Sequence, residues 1–478
     1  MSEQVIDRTA ALGSGRIGSL LWTYALPAVV SQVIASIYNI VDRVFLGQYV
    51  GAMAIAGLAI TMPVMNIIHA FGALVGVGSS SRLSIVLGRG DKAWAEKIVG
   101  NSMLLTFLFG ALFVSTGYLF MDRILSLFGA SQQTLAYAKE YLSIVLPGMF
   151  LTTITFNLCG LMRASGYPHR SMWVMAGGAV LNIALDALFI CVFGWGIAGA
   201  AWATTASMAL TALLAVWHFA SRKSFIRFRR HAWAPKLYIF ENILLIGMSP
   251  FSMNVAASAV VALLNSQLLR YGGDMAVGVF GVTNSYSAFL VMMVLGICQG
   301  MQPIAGYNYG AGQNRRLRQV YALTMKVNLI AGLVGMAVAL AMPRLVLRAF
   351  TTDPAMIAMG IPAMRYLNAM MALVALTITN SQFFQSIDKP GIAITTSLSR
   401  QIIFLIPMMF IIPAWMVRWG MDGLTGVWVA CAICDVLGGA LAIVLLWTQR
   451  RVFQPGYVAP VRKPRKEACP KEQTGNHA

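Results

Sequence analysis

The sequence predicts an all-α polytopic membrane protein, with twelve transmembrane helices in two six-helix lobes related by pseudo-two-fold symmetry. Three observations support this fold class. Of the 478 residues, 58% are hydrophobic and only 11% are charged, with a mean hydropathy of +0.72, whereas about a quarter of an average soluble protein is charged. Apolar runs long enough to cross a bilayer follow one another along the chain. The two halves of the chain also resemble each other.

Twelve apolar runs account for most of the chain, and the gaps between them are too short for a soluble domain. A bilayer core is about 30 Å thick and needs about 20 helical residues to cross it. The predicted spans lie at residues 17–47, 52–87, 94–118, 134–161, 171–193, 197–220, 238–270, 274–306, 317–341, 355–385, 391–417 and 422–447. The polar amino terminus and the absence of a cleavage site after a short apolar core predict no removable signal peptide.

The second half of the chain repeats the first at an offset of 222 residues (276 − 54). At this offset Met53–Thr61 aligns with Met275–Thr283, and Gly78 aligns with Gly300. The same shift aligns Gly88 with Gly310, Gly90 with Gly312 and Pro168 with Pro390, and a shift of 223 aligns Pro27 with Pro250. Six helices per half give both copies the same orientation, so their symmetry axis runs along the membrane normal, as in many secondary transporters.

Basic residues in the loops predict the domain boundaries and the orientation. The chain divides into an N-terminal six-helix lobe at 1–220, a basic linker at 221–237, a C-terminal six-helix lobe at 238–448 and a basic tail at 449–478. With both termini in the cytoplasm, about two dozen Lys and Arg residues lie in or beside cytoplasmic segments and seven face outward, as the positive-inside rule requires. We therefore predict a multi-pass protein of the cell (inner) membrane with cytoplasmic termini, linker and tail. The net charge of +19 has the same explanation, which argues against a nucleic-acid partner.

Four polar residues at matching depth form a predicted ion site. Asp186 lies in the apolar run Val180–Ile190 with Asn182 one helical turn before it, and Asp42 and Thr204 lie at a similar depth in spans one and six. A charged group at such depth costs roughly 2.5 to 3.5 kcal/mol, which indicates a function. Two structural interpretations stay open. Asp186 can hydrogen-bond a neighbouring helix and bind nothing, and Asp42 can pair with the adjacent arginine or lie at the water interface.

The chemistry of these side chains fits a proton or a sodium ion, and the sequence does not choose between them. Two carboxylates in one pocket of low dielectric repel each other, which favours uptake of a proton by one of them. Carboxylate, amide and hydroxyl oxygens are also hard ligands suited to a small cation. We predict no cofactor; if the coupling ion is sodium, its ligands are Asp42, Asn182, Asp186 and Thr204.

We interpret the other embedded polar residues as structural. Asp435 in span twelve and Arg400 in span eleven are expected to pair between neighbouring helices, and His69 is expected to be hydrogen-bonded within the helix packing. Cys431 and Cys434 have no His or further Cys nearby, so they are packing residues. The sequence contains no Walker loop, HExxH motif or clustered catalytic set. It therefore argues against an enzyme and favours an ion gradient as the energy source.

Five stretches, distributed over both halves of the chain, resemble sequence motifs of a known protein family. They are Tyr38–Gly47 apart from Arg43, Asn182–Asp186, Gly196–Thr204, Gly300–Gly310 and Gly426–Asp435. Together they resemble the multidrug and toxic compound extrusion (MATE) family. The combination is specific, whereas any one of these motifs alone would be weak.

The resemblance implies a V-shaped pair of six-helix lobes that exports cationic, often aromatic compounds in exchange for protons or sodium. In the DinF-like branch of the family the coupling site lies in the amino-terminal lobe, and its positions fall here on Asp42, Asn182, Asp186 and Thr204. The NorM-like branch also uses acids on the seventh and tenth helices, and no Asp or Glu occurs here at 242–270 or 355–386. The chain therefore resembles the DinF-like branch, and this departure speaks against sodium binding in the second lobe.

We predict an ion-coupled antiporter that exports lipophilic, often cationic drugs and toxic compounds by alternating access, as a monomer in the lipid bilayer. The candidates for its substrate cavity are Tyr38, Asn157, Met162 and Gln299. One alternative is a flippase for lipid-linked saccharides of the same superfamily, for which we expect a row of arginines in the cleft; only Arg43, Arg82 and Arg400 are embedded candidates. The other alternative is a membrane protein that transports nothing.

Overall fold

In the computed structural model of this chain, the described residues are 3–50, 52–128, 132–221, 224–454 and 457. They form helices and short connections, and no strand occurs among them. The predicted fold class, an all-α bundle of apolar helices, is therefore confirmed. Most of the predicted tail, including Cys469, lies outside the described residues, as do Arg222 and Lys223 of the predicted linker.

The described helices follow the order predicted for the twelve spans, after a short helix at Glu3–Ser14 that we did not predict. In the first lobe they are α1 (Ile17–Phe45), α2 (Ala52–Gly88), α3 (Lys92–Leu119), α4 (Gln132–Ala164), α5 (Pro168–Val192) and α6 (Gly196–Ala220). In the second lobe they are α7 and α8, which are the two arms of Leu237–Gly310, then α9 (Asn314–Ala341), α10 (Pro354–Asn368 with Met371–Ser386), α11 (Pro390–Arg418) and α12 (Gly423–Thr448). Short helices at Met121–Leu127 and Pro343–Arg348 follow α3 and α9.

Gly273 divides the 74-residue helix Leu237–Gly310 into α7 and α8. Its backbone angles, φ 67° and ψ −168°, belong to a region that essentially only glycine adopts. A straight helix of 74 residues would be about 111 Å long, whereas a bilayer core is about 30 Å thick. The break therefore allows two crossings, and it lies where the sequence predicted the turn between spans seven and eight.

Several helices depart from regular α-helix, which the apolar pattern did not predict. The two segments of α10 are bent by 43°. A π-helix at Leu46–Val50 continues α1, a second at Ala187–Val192 ends α5, and a third at Ser399–Leu405 lies within α11. A π turn adds a residue to the helix and is frequent at functional sites. The second of these begins directly after Asp186, and the third contains Arg400.

The two lobes meet where glycines of the sequence repeat allow backbones to touch. Gly78 on α2 faces the backbone of α7, and its repeat partner Gly300 on α8 faces the backbone of α1. Gly88 on α2 and its repeat partner Gly310 on α8 each face the backbone of the other helix. A side chain at any of these positions would overlap the opposite backbone, and small residues are what allows helices in membranes to approach so closely. The aligned glycines thus mark the pseudo-two-fold contact.

Side chains from both lobes close this contact on the side of the membrane where α1 begins and α2 ends. The Arg82 guanidinium on α2 donates to the Asp388 carboxylate, just before α11, at 3.2 Å, and both side chains are more than nine-tenths buried. Arg82 also donates to the Tyr238 hydroxyl at 3.5 Å. Gln302 on α8 donates to Ser81 Oγ on α2 at 2.7 Å. We call these five residues the inter-lobe seal.

Candidate functional site

The first lobe contains a cavity lined by five of its six helices, α1, α2, α4, α5 and α6. Its space for water-sized molecules is about 90 Å³, enough for several waters. The polar side chains of its wall are Ser31, Tyr38, His69, Thr152, Thr155, Asn182, Thr204, Ser207 and Thr211. We call this space the first-lobe cavity.

Asp186 is a fully buried carboxylate at the point where the regular part of α5 ends. Neither of its oxygens accepts a hydrogen bond from any described residue, and the same holds for the side-chain oxygen of Asn182, one turn earlier. The Asn182 amide donates to Thr204 Oγ1 at 3.4 Å, which is a long contact. Buried acceptors without donors are costly and rare. These three oxygens are therefore available to a proton or a cation.

Asp42 and Tyr141 complete the group around Asp186. Asp42 lies on α1, one turn after Tyr38 of the cavity wall, and its charge is close enough to interact with that of Asp186. Tyr141 on α4 is buried, its hydroxyl is close to Thr204, and it is within electrostatic reach of both acids. The structure thus brings together the four residues that the sequence grouped as an ion site, Asp42, Asn182, Asp186 and Thr204.

These residues share one level of the lobe, on the side opposite the inter-lobe seal. Asp42 lies eight residues before the π-helix of α1 ends at Val50, and Asp186 lies six residues before α5 ends at Val192. Thr204 lies eight residues after the start of α6. At a rise of 1.5 Å per residue, each lies roughly 9 to 12 Å from the end of its helix, so the common depth expected from the sequence is what the helix bounds give.

The four residues predicted for the substrate cavity do not share one site. Tyr38 lines the first-lobe cavity. Asn157 does not: its side chain is fully buried in helix packing, where it accepts from Ser79 at 2.7 Å and donates to hydroxyls on α3. Met162 is fully buried in an apolar cluster, and Gln299 lies in a small crevice between the lobes. The cavity wall therefore includes only the first of these four.

Among the ionisable residues of this site, His69 and Tyr141 were not predicted to belong to it. His69 on α2 lines the first-lobe cavity, whereas we had expected it to be enclosed by helix packing. A signal for it was present, because it is a lone ionisable side chain in an apolar run, as Asp186 is. Tyr141 gave no such signal, since an aromatic residue in a spanning helix is usually explained by packing.

The second lobe contains an ion pair in place of a pair of acids. Arg400 Nη1 on α11 donates to Asp435 Oδ1 on α12 at 2.5 Å, so the pairing that the sequence predicted is confirmed. No group of three or more His, Cys, Asp and Glu side chains in the described part of the chain could hold a metal ion. Sodium at the first-lobe site would therefore also need amide and hydroxyl oxygens, which Asn182 and Thr204 provide.

The sequence model of the MatE family matches the chain twice, at residues 27–188 and 250–411. The chain belongs to the MatE family. The second match begins 223 residues after the first (250 − 27), which is the shift that aligns Pro27 with Pro250. The internal repeat of this MATE-family chain therefore corresponds to two copies of the family's domain.

Curated relatives of this MATE-family chain are similar over most of its length. The multidrug export protein MepA of Staphylococcus aureus (strain NCTC 8325 / PS 47) is 26% identical over 427 residues, which cover 89% of this chain and 93% of that protein. MepA of Staphylococcus haemolyticus (strain JCSC1435) is 24% identical over 427 residues, covering 89% and 92%. The similarity thus extends through both lobes.

Solved structures share the fold of this MATE-family chain. A MOP superfamily transporter from Pyrococcus furiosus matches it with a TM-score of 0.85 and 25% identity, over 92% of this chain and 97% of that chain. A MATE structure in the bent conformation matches with a TM-score of 0.86 and 25% identity, over 93% and 97%. The predicted two-lobe fold and the predicted family are therefore both confirmed, and the protein is a multi-pass membrane protein.

Proposed function

We propose that this MATE-family transporter exports lipophilic, often cationic small molecules across the cell membrane, in exchange for protons or sodium. The observation that carries the proposal is the set of three buried oxygens on Asn182 and Asp186 that lack donors among the described residues, beside the charge of Asp42. The similar MepA proteins are multidrug exporters by name, which supports the substrate class. Transport of this kind needs no cofactor and no catalytic residues.

Either coupling ion fits the unpartnered oxygens. A proton on Asp186 converts an acceptor into a donor and removes the repulsion between Asp186 and Asp42. Sodium would be held by the carboxylate, amide and hydroxyl oxygens of Asp42, Asn182, Asp186 and Thr204, which are hard ligands of the kind it prefers. Both ions have the same effect on the site, because each lowers the negative charge buried in a medium of low dielectric.

A cationic substrate and the coupling ion compete for this negative charge. When no ion is bound, the two carboxylates attract an organic cation towards the first-lobe cavity, whose wall offers Tyr38 and several hydroxyl groups. When an ion is bound, this attraction is lost and the organic cation is released. Competition for one charge therefore makes entry of the ion and exit of the substrate a single exchange.

The inter-lobe seal and the charge of the loops together support an orientation and a conformational state. The positive-inside rule places both termini, and with them the sealed side, in the cytoplasm. Asp42 and Asp186 then lie in the outer half of the first lobe, and the closed inner side corresponds to an outward-facing state of alternating access. A solved multidrug resistance MATE family transporter described as outward-facing matches this chain with a TM-score of 0.85. We propose that the protein works as a monomer in the cell (inner) membrane.

The flippase alternative finds less support in the charges of the cleft. Arg82 is paired with Asp388, and Arg400 is paired with Asp435. Arg82 lies in the inter-lobe seal and Arg400 lies within the second lobe, so these two arginines do not form the row of cations in the cleft that we expect of a flippase. Catalysis or a non-transporting role is also disfavoured, because the relatives are transporters.

Transport by proteoliposomes tests the proposal. Efflux or uptake of ethidium, a fluorescent lipophilic cation, is measured with an imposed proton gradient and then with an imposed sodium gradient. We expect one gradient to drive transport, and Asp186→Asn to abolish it at normal expression and thermal stability. Asp122→Asn is the matched control, because it changes an exposed acid that pairs with Lys139 away from the cavity. Full transport by Asp186→Asn, or no response to either gradient, would contradict the proposal.

A further inference from the structure

The second lobe contains a cavity of its own, lined by α7, α8, α10, α11 and α12. These are the repeat counterparts of the five helices that line the first-lobe cavity. Its space for water-sized molecules, about 320 Å³, exceeds that of the first-lobe cavity. Its polar lining consists of Asn284, Ser287, Arg400, Gln401 and Asp435. We call it the second-lobe cavity, and the cation-exchange mechanism does not use it.

Arg400 offers this cavity hydrogen-bond donors that nothing in the described part of the chain uses. A guanidinium has five N–H donors, and among the described residues only Nη1 has a partner, Asp435 Oδ1. The Arg400 side chain is 28% exposed and that of Asp435 only 10%, so the arginine is the more accessible member of the pair. The side-chain oxygen of Gln401, the next residue, is a buried acceptor without a partner among the described residues.

The local backbone is built to present these two side chains. Arg400 and Gln401 both lie in the π-helix Ser399–Leu405 within α11, and π turns are frequent at functional sites. Gly438 on α12 makes room for the arginine, because a Cβ there would lie only 3.0 Å from Arg400 Cβ and Cγ. In α5, the repeat counterpart of α11, a π-helix begins beside Asp186. Each lobe therefore has a charged residue at a π-helix next to its cavity, and the two charges are opposite.

We propose that the second-lobe cavity binds amphipathic organic anions, with a carboxylate on Arg400 and an apolar body against the lobe. The planar donor fork of arginine matches a carboxylate in geometry, and such charge-assisted bonds are strong. The apolar part of the wall includes Val260, Leu264 and Phe280. A ligand N–H would also satisfy the Gln401 oxygen. Asp435 competes with the ligand for Arg400, so removing the charge of Asp435 should strengthen binding of the ligand.

Dansylglycine is a suitable probe, because it combines a carboxylate, one N–H donor and an apolar fluorophore. Its saturable fluorescence increase on binding to the full-length protein is measured against protein-free detergent micelles. We expect Arg400→Gln to weaken binding by about tenfold or more, and Asp435→Asn to tighten it, because the competing carboxylate is gone. Dansylglycinamide, which lacks the charge, should bind at least tenfold more weakly than dansylglycine, and Asp122→Asn should change nothing.

The opposite signs of the two substitutions separate binding from structural damage. If the ion pair only holds α11 to α12, both variants will weaken binding alike, and the proposal is wrong. It is equally wrong if Arg400→Gln binds dansylglycine within twofold of the unmodified protein, or if dansylglycinamide binds as tightly. None of these outcomes depends on the acids of the first lobe, so failure here leaves the proposed cation export standing.

Discussion

The ion pair of the inter-lobe seal allows a quantitative prediction about alternating access. Arg82 and Asp388 come from different lobes, and their side chains are only 4% and 8% exposed. Replacing Arg82 by Gln removes the guanidinium that pairs with this buried carboxylate, which costs about 3 to 5 kcal/mol in the sealed state. Water can reach Asp388 once the lobes separate, so the open state does not bear this cost. The ratio of open to sealed molecules should therefore rise by roughly a hundredfold to several thousandfold.

Cysteine accessibility measures this shift directly. Ser84 on α2 is 1% exposed and faces Gly306 on α8, so Ser84→Cys reports on the contact between the two lobes. It is placed in a variant whose six native cysteines are replaced, and labelled with a membrane-impermeant maleimide in inside-out vesicles. The reporter should be nearly unreactive with the intact ion pair and should react much faster with Arg82→Gln.

A double variant separates the lost charge pair from general damage. Arg82→Gln with Asp388→Asn removes both charges, so no buried charge is left without a partner. Labelling of the double variant should fall back towards the unmodified level. If Arg82→Gln does not change the labelling rate, or if the double variant reacts faster than Arg82→Gln, the ion pair does not hold the lobes together and the reasoning is refuted.

Three further predictions follow from single positions. Gly247→Val on α7 should be expressed normally but should not transport, because the valine side chain would overlap the Leu74 backbone of α2. The Ser84→Cys reporter should be labelled faster in this variant. Tyr141→Phe should reduce transport less than Asp186→Asn, roughly five- to tenfold, because one hydroxyl near Thr204 is lost; unchanged ion dependence would count against a role for Tyr141. Gly273→Ala should lower thermal stability in detergent by about 1 to 3 kcal/mol, because φ 67° with ψ −168° is strained for alanine; an unchanged melting temperature would contradict this.

The transmembrane spans and the internal repeat could be predicted, because both are visible in the sequence without knowledge of the helix packing. A bilayer demands a run of about 20 apolar residues, so the length of a run identifies a crossing. The aligned pairs Gly78 with Gly300 and Gly88 with Gly310 proved to have equivalent positions at the contact between the lobes. Where two helices must approach closely, both halves of the chain have a glycine at the equivalent position. Comparing the two halves of the sequence therefore revealed the symmetry.

The π-helices and the bend of α10 could not be predicted in the same way. A π turn differs from an α turn in its hydrogen-bond partners, and hydropathy does not report those partners. The placement of Asn157 depended on Ser79 and on two hydroxyls of α3, which are distant in sequence and become neighbours only after packing. The same limit explains why Tyr141 was overlooked and why Asn157 was predicted to line a cavity.

Backbone crossings between the lobes restrict how the two halves can move. At Gly88 and Gly310 no side chain lies between the helices, so there is no rotamer whose change could absorb a small sliding movement. Sliding along the helix would move the glycine away from the contact and bring a residue that carries a Cβ against the opposite main chain. We therefore expect the two halves to separate and to return in the same register rather than to slide along each other.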